Sequence, residues 1–231
     1  EKITVNGNMN LYAVVFNRST EKDLTEAELP QVDIYKYKQV IFVGDSRTEF
    51  MENVLTGMGE SATKNVKFVC SAGKGLDWFT TTGWAQLYSI VQHDSNSILS
   101  KKTAVIFNFG VNDLSKSADY AEYYNWIAPQ LKSKGCELYF MSVNPVNRLM
   151  LPNAGRADRS EAAVRSFNQY MKANLSSAYT YIDMYSYLKS TGYSFASDHY
   201  GTGTVDDGLH YTTRTYKRIF AKCMDSLRVP A

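Results

Sequence analysis

Five short apolar runs punctuate the chain, near residues 39–43, 65–70, 103–109, 136–143 and 179–183. Each is rich in β-branched and aromatic residues and too short for a helix, so each predicts a strand. Elsewhere the apolar positions fall three and four apart, the spacing of one helical face. Met51, Val54, Leu55 and Met58 form one such stripe, and Tyr120, Tyr124, Ile127 and Leu131 another. Val164, Phe167, Met171 and Leu175 form a third, and Tyr216, Ile219, Phe220, Cys223 and Leu227 a fourth. Pro129 should kink or shorten the second of these helices. Thr212 or Thr213 supplies an N-cap for the last. Strands alternating with helices imply a parallel sheet covered on both faces. The expected fold class is α/β, a three-layer α/β/α sandwich around a five-stranded parallel sheet of the flavodoxin type.

Residues 1–37 read differently. Ile3 to Gly7 and Asn10 to Phe16 suggest two short strands around an Asn-Gly turn. A polar stretch from Arg18 to Glu28 then leads to Pro30. The expected division is an N-terminal extension over 1–37, with a β-hairpin, and a catalytic domain over 38–231.

The junction between the first strand and the first helix carries candidate chemistry. Gln39 to Val43 is followed by Gly44-Asp45-Ser46-Arg47. Ser46 thus falls at the carboxyl end of a strand and the amino end of a helix, where open α/β sheets place their ligand crevice. Unpaired N–H groups of the first helical turn can stabilise a developing oxyanion there. A second strand-like run, Thr103 to Phe109, ends in Gly110-Val111-Asn112-Asp113, and Asp206-Asp207-Gly208-Leu209-His210 precedes the last helix. A serine, an asparagine and an Asp/His pair beside element ends are the parts that nucleophilic acyl transfer needs.

This pattern resembles the SGNH hydrolases, also called the GDSL esterase/lipase family, over about residues 38 to 228. Gly44-Asp45-Ser46 matches the family's first block, Gly110 to Asp113 its Gly-x-Asn-Asp block, and Asp207 with His210 its Asp-x-x-His block. The resemblance implies Ser46 as nucleophile, His210 as base and Asp207 as the acid that orients it, with Asp206 as the alternative partner. It implies an oxyanion hole from the Ser46 N–H, the Asn112 side chain and a glycine N–H after the second strand. Gly75 fits the family spacing better there, and Gly73 is the alternative. Two positions depart from the family pattern: Arg47 stands where Leu or Ile is frequent, and Cys70 where the second block opens with Asn. The Gly-x-Ser-x-Gly elbow of the α/β-hydrolases is absent around Ser46, which argues against that larger fold.

Candidate substrate contacts are Arg47, Trp78, Asn144, Asn147, Tyr200 and Tyr211, all on loops or element ends near the same sheet edge. Arg47 has a second reading, as the partner of a structural carboxylate such as Asp113 or Glu49. The loop from Leu149 to Arg159 is long enough to wall a cleft. His93 and His199 are read as non-catalytic. Seventeen tyrosines suit a wet, sugar-binding surface, or else cap the edge of the core. With no long apolar lid in view, the expected activity is that of a serine esterase. It would act on small acyl groups, acetyl above all, carried by a carbohydrate or cell-wall glycan. A lipase, lysophospholipase or thioesterase, an acyltransferase, or a surface binding module that has lost turnover are the competing readings.

Composition adds little to this. The formal net charge of +2 gives no push toward nucleic acid. No apolar run approaches the roughly 20 residues of a membrane span. No His, Cys or carboxylate spacing suggests a metal site, and no cofactor is expected. Cys70, Cys136 and Cys223 are widely spaced, and Cys70 and Cys223 fall on apolar faces, which predicts buried thiols. The chain begins at Glu1 without Met, and the expectation is a secreted or surface-attached bacterial protein.

Overall fold

The computed structural model describes residues 22–33, 36–94, 102–151, 159–196 and 206–227. Strands β1 (Tyr37–Gly44), β2 (Val66–Cys70), β3 (Lys102–Asn108), β4 (Cys136–Met141) and β5 (Tyr179–Ile182) form one sheet in the order β2-β1-β3-β4-β5. Every pairing is parallel. The helices are α1 (Ser46–Met58), α2 (Leu76–Trp78), α3 (Trp84–Asp94), α4 (Ser117–Ser133), α5 (Glu161–Asn174), α6 (Met184–Thr191) and α7 (Thr213–Ser226). A π turn, Phe79–Gly83, joins α2 to α3.

The pleat divides the apolar strand residues between two cores. Ile41, Val43, Val105, Phe107, Leu138 and Phe140 face one side and pack with residues of α3, α4 and α5. Val40, Phe42, Ala104, Ile106, Tyr139 and Met141 face the other and pack with α1, α6 and α7. The central strands are buried on both faces, which is why they read as continuous apolar runs. This is the three-layer α/β/α sandwich with a five-stranded parallel sheet.

One expectation needs correction. Helix α4 runs on through Pro129 to Ser133. The proline lies on the exposed face of the helix, about one turn before its end, so the one helical bond it removes is lost on the solvent side. Of the two readings of the tyrosines, the core one holds for Tyr120, Tyr124, Tyr211 and Tyr216, which are fully buried. Burial lifts their hydroxyl pKa values above the usual range.

The hairpin expected near the N-terminus lies outside the described residues. Within residues 22–33 a short 3-10 turn, Glu26–Glu28, carries a Thr25/Glu28 capping box, and Leu29 and Val32 join the core beside α1 and α7. Cys70, Cys136 and Cys223 are free thiols; Cys136 and Cys223 are buried and Cys70 is half-buried. Among the described residues no helix is long and apolar enough to cross a membrane.

Candidate active site

Strand β1 passes into α1 within one residue. A side chain at Gly44 would put its Cβ 2.0 Å from Thr48 Oγ1 and 2.9 Å from the Asn108 carbonyl, so only glycine fits this turn. Asp45 is the N-cap, its carboxylate accepting the Arg47 N–H at 3.0 Å. Burial pushes the Asp45 carboxyl up to about 6, against the pull of Arg47. Ser46 is therefore the first residue of α1, at the carboxyl edge of the sheet.

His210 comes to Ser46 from 164 positions away, its Nε2 2.9 Å from Ser46 Oγ. Its Nδ1 lies 2.6 Å from Asp207 Oδ2. The other Asp207 oxygen accepts the backbone N–H groups of Leu209 and His210, each at 2.8 Å. One carboxylate thus closes its own turn and orients the ring. Burial alone would raise the Asp207 pKa. The hydrogen bond and charge of His210 and the two backbone N–H groups outweigh it and hold the carboxyl below its ordinary value. An ionised Asp207 takes the Nδ1 proton as a hydrogen bond, so Nε2 presents its lone pair to the Ser46 hydroxyl. This arrangement can move a proton from Oγ to the imidazole.

Asp206 is occupied elsewhere. It accepts the Gly208 N–H at 2.7 Å and the Asn147 side-chain amide at 2.9 Å. Asp207 is the imidazole's partner.

Asn112 sits at the end of the Gly110–Asp113 block. Arg159 donates to its Oδ1 at 2.8 Å and to the Val111 carbonyl at 2.6 Å, which fixes the orientation of the amide. Asn112 Nδ2 donates to the Lys74 carbonyl at 2.7 Å, using one of its two hydrogens. Gly75 is the N-cap of α2. Asp113 fixes this corner, accepting the Leu76 N–H and the Tyr120 hydroxyl, each at 2.8 Å. A Cβ at Gly75 would meet Asp113 Oδ2 at 2.3 Å. Lys74 C=O and Gly75 N–H belong to one trans peptide and point in opposite directions. In this conformation the Gly75 N–H therefore points away from the Asn112 amide, and the two do not meet at one oxygen.

Three of the expected substrate contacts are corrected by burial. Arg47 is 2% exposed and donates to the carbonyls of Leu209, Asn144 and Pro145, each at 2.9 Å. It does not rely on Glu49 or Asp113 either: Glu49 accepts the Ala72 N–H, and Asp113 is engaged as above. Asn144 is buried, its carbonyl taken by Arg47. Tyr211 is buried, its hydroxyl donating to the Pro145 carbonyl and its ring under the Arg47 guanidinium. Trp78 is half-buried beside Phe109, and Asn147 is pinned to the Asp206–Gly208 turn. Tyr200, His199 and residues 152–158 of the expected cleft wall lie outside the described residues.

Two contributors escaped the sequence reading. Phe50 stacks on the His210 ring with centroids 4.3 Å apart. It lies four residues after Ser46, the spacing that shares a helix face, and that signal was available. Nothing in the spacing pointed to Arg159. Among the described residues no cluster of His, Cys and carboxylates could hold a metal ion.

The family model described as GDSL-like Lipase/Acylhydrolase matches residues 40–223. None of the curated proteins matches the chain in sequence. Among solved structures it is similar to a proposed SGNH hydrolase from Slackia heliotrinireducens, at 12% identity and a TM-score of 0.58, covering 84% of this chain and 100% of that one. A proposed acylhydrolase from Bacteroides fragilis NCTC 9343 superposes with a TM-score of 0.55 at 16% identity, over 87% of this chain and 92% of that one. An acetyl xylan esterase superposes with a TM-score of 0.51 at 12% identity, over 82% of this chain and 100% of that one. At these identities the likeness is one of fold.

Proposed function

This chain belongs to the GDSL-like lipase/acylhydrolase family of ester-hydrolysing enzymes, and we propose that it is a serine esterase that removes small acyl groups, acetyl above all, from a carbohydrate or similarly polar alcohol. The observation that carries the reaction class is the unbroken chain Ser46–His210–Asp207, with contacts of 2.9 and 2.6 Å. Ser46 Oγ attacks the ester carbonyl carbon while its proton passes to His210 Nε2. Collapse of the tetrahedral adduct breaks the bond to the alcohol, whose oxygen takes that proton from Nε2. The acyl-serine is then hydrolysed by a water that the same nitrogen deprotonates. Asp207 stays ionised and stabilises the imidazolium.

The oxyanion forms at the amino end of α1. The Ser46 N–H and the second Asn112 amide hydrogen are the donors on hand. Turning over the Lys74–Gly75 peptide would replace the Lys74 carbonyl by the Gly75 N–H. Glycine at position 75 eases that change because it adopts φ of either sign.

The small-acyl reading draws on how little of the nucleophile and its base is exposed. Ser46 is 5% exposed and His210 4%, and Phe50 covers the imidazole face. Each methylene that fits an apolar pocket adds about 0.8 kcal/mol of binding, and one that does not fit excludes the substrate. The likeness to an acetyl xylan esterase agrees in fold. The test is a p-nitrophenyl ester series read alongside fluorophosphonate labelling of Ser46. We expect labelling and a rate that falls steeply from acetyl to butyryl to octanoyl. A rate that climbs toward octanoyl would overturn the small-acyl reading in favour of a lipase or thioesterase. An unreactive Ser46 would leave a binding module.

A further inference from the structure

We propose that Arg47 is a positioning residue that holds the base against the nucleophile. This inference deepens the esterase reading and rests on it. Asp207 orients the His210 ring, but its hydrogen bonds to Leu209 and His210 all lie within residues 207–210. It cannot set where that segment sits relative to α1. A directed backbone link between the two comes from Arg47, the residue next to Ser46 on the same helix turn.

The guanidinium donates from Nε to the Leu209 carbonyl, from Nη1 to that of Asn144 and from Nη2 to that of Pro145. Leu209 immediately precedes His210. Tyr211 immediately follows it, with its ring 5.1 Å from the guanidinium carbon and its hydroxyl on the Pro145 carbonyl. The Gly208 carbonyl accepts the Asn147 N–H at 2.9 Å. The base is thus flanked on both sides by residues tied to one hub, and the hub is rigidly attached to the nucleophile. Arg47 is 2% exposed, so each carbonyl released from it would lose its partner away from water. The arrangement needs a planar fork. A lysine ammonium is a point donor and cannot reach three carbonyls set around a guanidinium plane. Phe50 adds a stacking contact from the same helix, but stacking tolerates sliding in a way that three directed bonds do not.

The consequence falls on turnover rather than on substrate binding, because a misplacement of about 1 Å between reacting groups costs on the order of 100-fold in rate. The test is Arg47→Lys, assayed well below its Tm with p-nitrophenyl acetate and a fluorophosphonate. We expect kcat to fall by roughly 30- to 100-fold with KM within about twofold of wild type. Labelling of Ser46 should slow by a similar factor, since it needs the same proton transfer but no leaving alcohol to protonate. A purely structural Arg47 would lower Tm and leave kcat intact, which overturns the proposal. So would a raised KM at unchanged kcat, the mark of a substrate contact. Should Arg47→Lys fail to fold, Tyr211→Phe keeps the ring and removes only the hydroxyl on Pro145. We expect it to lower kcat by about three- to tenfold at constant KM, and wild-type kcat there would overturn the proposal. A wild-type chain that neither turns over ester nor labels at Ser46 sinks the esterase reading itself. A reactive wild type with an indifferent variant sinks only the role of Arg47.

Discussion

The two edges of the sheet each carry a polar cluster with buried members, and they are built to opposite ends. At the amino edge the Tyr37 hydroxyl donates to the Glu137 carboxylate, and the Tyr139 hydroxyl, with one hydrogen to give, lies 2.8 Å from that of Tyr37 and 3.2 Å from the carboxylate. Lys102 reaches the same carboxylate at 2.5 Å and Lys36 at 3.7 Å, and Lys36 also donates to the Leu227 carbonyl. Burial would raise the Glu137 pKa, but the bonds from Lys102 and Tyr37 and the two ammonium charges bring it down to about 2. Near neutral pH no proton has anywhere to move. At the carboxyl edge the Asp207 carboxylate faces the His210 ring, and the chain of bonds ends on the Ser46 hydroxyl. The same chemical groups make a brace where charges are closed against each other. They make a proton path where the last member is a nucleophile.

The largest effect expected from this contrast is at its open end. Ser46→Ala should lower p-nitrophenyl acetate turnover by about 10⁴-fold or more and abolish fluorophosphonate labelling, with Tm little changed. Next comes the choice of carboxylate. Asp207→Asn should cost about 10³- to 10⁴-fold in kcat, because the ring loses its tautomer and its anion, whereas Asp206→Asn should cost less than about fivefold. The reverse ranking would show the 206–210 turn to be misread.

Arg159→Met frees the Asn112 amide to rotate. Loss of an oxyanion donor outright costs about 10²- to 10³-fold, so loss of its orientation should cost roughly tenfold in kcat, with KM nearly constant. In a pH–rate profile of wild type, the rate should rise as His210 loses its proton. Asp207, held below its ordinary value, stays ionised across that range, while Asp45, pushed up to about 6 by burial next to Ser46, loses its own proton within it.

The smallest effect on activity belongs to the closed cluster. Glu137→Gln should leave kcat and KM unchanged and lower Tm by a few degrees, about 2–4 °C for each kcal/mol lost in a chain of this size. Glu137 is depressed from 4.5 to about 2 in the fold. Its contribution is therefore present above the unfolded value and lost as pH falls toward the folded one. Between pH 5 and 2, wild type should lose its stability advantage over the variant, which a pair of thermal melts at the two pH values would read directly. A variant that lost activity instead would break the division between the two edges.

What was legible in the chain follows from periodicity and local chemistry. Runs such as Ile41-Phe42-Val43 and Val105-Ile106-Phe107 read as strands buried on both faces, because consecutive apolar side chains in a short strand point alternately into two layers. The three-residue spacing of Asp207 and His210 suffices to close their turn, so that pair could be read directly. Gly44 before Asp45 and Ser46 could likewise be read as a strand meeting a helix. These are contacts over a few residues, and spacing alone encodes them.

The chain order could not tell a wall from a foundation. Arg47, Asn144 and Tyr211 stand at the right edge and carry polar groups, so they looked like substrate contacts. Packing turned them inward, because three carbonyls from distant loops converge on the guanidinium and water does not reach them. The hold of Arg159 on Asn112 and the direction of the Lys74–Gly75 peptide were equally hidden. The sequence by itself determined the elements, the sheet and the residues able to carry acyl transfer, since those depend on neighbours within a turn or a strand. Only the tertiary structure decided which polar side chains face the cleft and which hold it in place, since that depends on contacts 47 to 164 positions apart, where burial rather than pattern sets the outcome.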